Sequence, residues 1–128
     1  MNILLDTHTF LWWITNDQRL SITAQALIRD KRNDLFLSAA SAWEIAIKNS
    51  LGTLPLPEPP EVFIPRHLLI NQFRPLPISV EHALGVSALP LHHRDPFDRL
   101  LVAQAKMENI PLLSADAILK PYSIQVLW

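Results

Sequence analysis

The sequence contains no cysteine, which excludes disulfide frameworks, thiolate zinc sites and cysteine nucleophiles. It also lacks an excess of either charge: 11 Lys and Arg stand against 12 Asp and Glu, for a net charge of −1. A general nucleic-acid binder normally carries a basic footprint, so any nucleic acid must be held by a local site. No apolar run approaches the ~18 residues of a membrane span. The short run Ile3-Leu4-Leu5 meets Asp6 at once, unlike a secretory leader. These absences lead us to expect a cytoplasmic protein with no membrane partner. The 128 residues suit a single domain, 1–128, able to bury about two-thirds of its surface.

What is present is a pattern of short apolar runs separated by amphipathic stretches. Asn2–Leu5 reads as a buried strand, followed by helices at Thr7–Ile14 and Ser21–Lys31. Asp34–Leu37 is a second strand. Ser38–Leu51 is helical, with Ala39, Trp43, Ala46, Ile47 and Ser50 on one apolar stripe. Residues 55–60 hold four prolines and form a loop. Glu61–Phe73 is predicted helical, with Pro65 kinking or restarting it. Leu76-Pro77-Ile78 is predicted as an edge strand, and Ser79 caps a helix at Val80–Ala88. Asp95–Asn109 is the clearest helix; strands at Pro111–Leu113 and Ile124–Leu127 close the chain. Leu- and Ile-rich strands alternating with helices imply an α/β three-layer sandwich around a mostly parallel sheet of about five strands.

Ligands of such sheets bind beyond the carboxyl ends of the strands, so the residues that follow each strand are the ones to inspect. Asp6 follows the first strand and Glu44 lies in the helix after the second. Asp95 and Asp98 open the long helix, and Asp116 follows the fourth strand. Four of the seven aspartates are at such places. Each also has a plain structural reading. Asp6, Asp95 and Asp116 can cap helical turns, and Glu44 can form an i,i+4 surface pair with Lys48. Taken together, the acids converge on one sheet edge, where their mutual repulsion is relieved by protons or a shared cation. Oxygen donors without sulfur favour Mg²⁺, or Mn²⁺, over zinc. The chemistry such a site suits is phosphodiester hydrolysis by metal-activated water.

The segments ILLDTHTFLWW, SAASAWEIAIK, HHRDPFDRLLVAQA and LLSADAIL resemble the four motifs of PIN-domain ribonucleases. More narrowly, they resemble VapC-type toxins of type II toxin–antitoxin systems. The resemblance implies an RNA-cleaving Mg²⁺ site with catalytic Asp6, Glu44, Asp98 and Asp116. Asp6, Asp98 and Asp116 would bind the metal, and Glu44 would orient water or ligands. Asp95 would be an additional acid and Ser114 a hydroxyl near the substrate phosphate. It further implies an RNA substrate, a homodimer and a cognate VapB-like antitoxin.

Around the third motif, Arg99 and His92-His93-Arg94 can contact RNA phosphates or form a polar loop in which Arg99 neutralises the acids. His8 is expected to pack or hydrogen-bond rather than join the site. Of Trp12 and Trp13, one is expected in the core and the other at an interface. Phe63, Leu68, Leu69 and Phe73 suit either the core or partner contacts. Two other readings compete. An aspartyl-phosphate-type phosphatase would use Asp6 as nucleophile but wants an acid where His8 stands; a catalytically silent PIN-fold interaction module would have no need of four acids.

Overall fold

The computed structural model describes all 128 residues. Five strands, β1 (Asn2–Leu5), β2 (Asp34–Ser38), β3 (Arg74–Leu76), β4 (Leu112–Leu113) and β5 (Val126–Leu127), form one sheet. Its order is β3-β2-β1-β4-β5, and every pairing is parallel. Six helices connect the strands: α1 (Thr7–Ile14), α2 (Ile22–Arg29), α3 (Ala39–Ser50), α4 (Pro60–Asn71), α5 (Val80–Gly85) and α6 (Pro96–Glu108).

The strands are apolar on both faces because both are covered. Alternation along β1 sends Ile3 and Leu5 into one core with Phe10, Ala24, Ile28 and Phe63 of α1, α2 and α4. Leu4 points the other way, into a second core with Leu101, Val102 and Ala105 of α6. Each fully buried Leu or Ile of this kind contributes about 1.5–3 kcal/mol.

Three details differ from the sequence reading. The edge strand is Arg74–Leu76, two residues earlier than 76–78, and pairs Phe36, Leu37 and Ser38 with Arg74, Pro75 and Leu76. Pro75 and Pro77 lack N–H groups, which this edge position tolerates. Pro65 lies inside an unbroken α4 rather than restarting it. Its inner residues Phe63 and Ile64 are buried in the core. Finally, α3 buries Ala40, Ser41, Glu44 and Ile45. The apolar stripe singled out above faces outward instead, with Trp43 exposed and edge-on to Phe97 at 5.3 Å between ring centroids.

A candidate acidic active site

The sheet changes direction of growth at β1: β2 and β3 are added on one side, β4 and β5 on the other. A crevice opens beyond the strand ends at such a reversal. Leu5 pairs with both Leu37 and Leu113, so the residues that follow these three, Asp6, Ser38 and Ser114, lie side by side at the carboxyl edge of the sheet. Asp6 is buried and caps α1, its Oδ1 accepting from the Thr9 N–H at 2.7 Å. Its Oδ2 accepts from Ser114 Oγ at 2.5 Å, a bond that bridges the reversal between β1 and β4. Ser114 Oγ in turn accepts from the Asp116 N–H at 3.1 Å. The serine proton is therefore directed at Asp6.

Glu44 enters the site from α3. It is buried, with Oε1 accepting from Thr7 Oγ1 at 2.7 Å and Oε2 from Lys48 Nζ at 2.6 Å. The i,i+4 pair forms as expected, but its acid is inside the protein rather than on a solvated surface. Hydrogen bonding to Glu44 raises the Lys48 pKa above its ordinary value, and the charges of Asp95 and Asp98 add to this. Lys48 is thus a fixed cation at the rim of the acids. Thr7 and Ser41, which are 3.0 Å apart, complete this buried polar group; the sequence reading had passed over both.

The third acidic element is the start of α6. Asp95 is the cap, its Oδ1 accepting from the N–H groups of Phe97 (2.9 Å) and Asp98 (3.1 Å). Pro96 occupies the first helical position, where its missing N–H costs nothing. Asp98 lies one turn further in, three-quarters buried, and its carboxylate accepts no hydrogen bond. Burial raises its pKa to about 6, and repulsion from Asp95, Asp6 and Glu44 adds to the shift. These four acids therefore share one electrostatic neighbourhood. Asp116 is exposed, its Oδ1 capping the turn at Ile118 (3.1 Å), and reaches the group only through Ser114. It is not among the charges that raise Asp98.

Arg99 is not among the charges that act on Asp98. Its guanidinium donates to the carbonyls of Pro90 (2.9 Å) and Val86 (3.1 Å) and to Tyr122 Oη (3.1 Å), clamping the segment before α6. His8 is exposed rather than packed away, lying 5.9 Å from the Trp12 ring. Trp12 and Trp13 are both half-buried. Trp12 meets Trp128, and the Trp13 indole donates to Asn71 at 2.9 Å. Phe63 and Phe73 belong to the core, whereas Leu69 is exposed.

No three His, Asp or Glu side chains are arranged to hold a metal ion as they stand. The donor set nevertheless suits a hard divalent cation: it is all carboxylate and hydroxyl oxygen. It also includes one largely buried carboxylate, Asp98, that no protein donor satisfies. Charge repulsion within such a group is what a cation relieves.

Comparison with known proteins identifies the fold and the family. A PIN domain family model matches residues 3–123. Ribonuclease VapC22 of Mycobacterium tuberculosis (strain ATCC 25618 / H37Rv) is 30% identical over 121 residues, 94% of this chain and 91% of that protein. Ribonuclease VapC16 of the same organism is 48% identical over 59 residues, 46% of this chain and only 40% of that protein. The crystal structure of VapBC2 from Rickettsia felis bound to a DNA fragment from their promoter contains a chain with the same fold. Its TM-score is 0.70 at 13% identity, covering 99% of this chain and 98% of that one. The chain belongs to the PIN-domain family, in its VapC-type branch.

Proposed function

We propose that this protein is a divalent-cation-dependent endoribonuclease that acts as a toxin and is neutralised by a VapB-like antitoxin. The observation that carries the reading is the convergence of Asp6, Glu44, Asp95 and Asp98 beyond the ends of β1 and β2 and at the start of α6. Burial, with repulsion from the like charges of the other three, raises the Asp98 pKa. The ribonuclease names of VapC22 and VapC16 support RNA as substrate. The VapBC2 complex supports the antitoxin, and the family resemblance supports a homodimer and residence in the cytoplasm.

In this reading Asp6 and Asp98 hold Mg²⁺ or Mn²⁺, joined by Asp116 directly or through water. When bound, the cation supplies Lewis-acid activation of water and of the scissile phosphodiester. Ser114 and the Thr9 N–H fix both oxygens of Asp6, which keeps that carboxylate oriented. Thr7 and Lys48 do the same for Glu44, leaving it to orient water beside the cation. Asp95 adds negative charge while holding the first turn of α6.

The test is cleavage of single-stranded RNA by the purified protein. EDTA should abolish it, Mg²⁺ or Mn²⁺ should restore it, and Asp98→Asn should remain inactive with metal. Undiminished cleavage in EDTA, or turnover of small phosphate monoesters without RNA cleavage, would overturn the proposal.

A further inference from the structure

His93 lies just before α6, and its side chain is only 9% exposed. Its Nδ1 is 2.8 Å from Tyr122 Oη, and the two rings meet at 5.5 Å. Tyr122 Oη also receives an N–H from Arg99. An arginine can only donate, so the phenol accepts there. Its single proton then has one acceptor in reach, His93 Nδ1. A histidine whose Nδ1 accepts must carry its proton on Nε2 when neutral. That Nε2 is buried without a hydrogen-bond partner, and it stands 3.4 Å from Asp98 Oδ2. The result is a directed chain from Arg99 through Tyr122 and His93 toward the one site carboxylate that no donor satisfies.

We propose that His93 is a positioning residue for Asp98: the Arg99–Tyr122 pair fixes it as the Nε2–H tautomer, and that N–H steadies the Asp98 carboxylate for its cation. The role rests on the reading of Asp98 as a cation ligand. It explains why Arg99 and Tyr122 are committed to each other rather than to substrate. It also gives the buried Nε2 a task that packing alone does not. At 3.4 Å the contact is long for an N–H···O bond.

Two measurements test it, neither of which is catalytic activity. Nitrogen-15 NMR of the metal-free wild type, at a pH where the ring is neutral, should show His93 as the Nε2–H tautomer. Tyr122→Phe, which keeps the ring and removes the hydroxyl, should mix the tautomers. Mn²⁺ binding should weaken about 10–100-fold in His93→Ala, the usual effect of losing a group that orients a metal ligand. A glutamine amide can take the place of Nε2 and an asparagine amide only that of Nδ1. His93→Gln should therefore retain most of the affinity and His93→Asn should not. An Nδ1–H tautomer in the wild type overturns the proposal, and so does wild-type Mn²⁺ affinity in a folded His93→Ala or His93→Asn. A wild type that binds no Mn²⁺ overturns the cation reading itself, a result distinct from either.

Discussion

Asp98 concentrates the electrostatic cost of the site. Its carboxyl titrates near pH 6 in the fold against 3.8 when unfolded. Between those values the native state binds more protons than the unfolded one. Its contribution therefore favours folding at the acidic end of the window, and stability declines as pH rises through it. In metal-free buffer Asp98→Asn should melt above the wild type at pH 7.5, with the difference vanishing near pH 4. Thermal melts of the two proteins across that range decide the matter, and equal melting temperatures at pH 7.5 would refute it. The same substitution should nearly abolish cleavage and weaken Mg²⁺ binding, whereas Asp95→Asn should fold normally and lose activity more modestly. If Asp95→Asn is the more damaged, the roles within this turn are reversed. Asp6, Asp95 and Asp98 stand out in the sequence because each follows a strand or opens a helix, and Glu44 because it lies in the helix after β2; Ser114 was marked only by the family resemblance. The partners of His93 were not legible: Tyr122 is 29 residues away, and no periodicity connects the two. The direction of Arg99 was equally hidden, since it depends on carbonyls of a loop whose path only the fold defines.

At the level of elements, the start of α6 is where stability and chemistry meet. Asp95→Ala removes the acceptor for two N–H groups and should cost about 0.5–2 kcal/mol, while Asp95→Asn should cost little because asparagine also caps well. Urea unfolding of both variants measures this, and equal losses would show that charge rather than capping matters. Further along α6, buried Gln104 accepts from Ser38 Oγ and donates to the Pro77 carbonyl at 3.2 Å. It thereby joins the helix to the end of β2 and to the segment after β3. Gln104→Leu strands both partners and should cost about 1–3 kcal/mol, measurable by the same unfolding. The strands and helices were readable from their apolar period, with two instructive failures. On α3 the buried face mixes Ser41 and Glu44 with Ala40 and Ile45, so following the apolar stripe leads to the solvent side. At β3 the alternation is masked by Pro75 and Pro77, and the pairing is set by Phe36–Ser38 of the neighbouring strand.

For the molecule as a whole, the proposed cation links binding to stability. A cation bound only by the folded chain adds about 2.7 kcal/mol at a hundred times its dissociation constant. Millimolar Mg²⁺ should therefore raise the melting temperature of the wild type more than that of Asp98→Asn, and equal responses would place the cation elsewhere. Large apolar side chains also remain exposed at Trp43, Leu51, Leu69, Ile70 and Leu84. A surface of this kind commonly serves a partner, and light scattering of the isolated protein should give a mass above that of one chain. A strict monomer at micromolar concentration would contradict the proposed homodimer.

The central position of β1 has a consequence for biosynthesis. Asp6 is completed by Ser114, 108 residues later in the chain, so β1 leaves the ribosome long before its β4 neighbour. Until β4 arrives, one edge of the central strand is open, and contacts so distant in sequence form slowly. On the proposed reading, a nascent chain gains nuclease activity only after β4 and Ser114 have been made. Ribosome-stalled chains ending before Leu112 should cleave no RNA at any Mg²⁺ concentration.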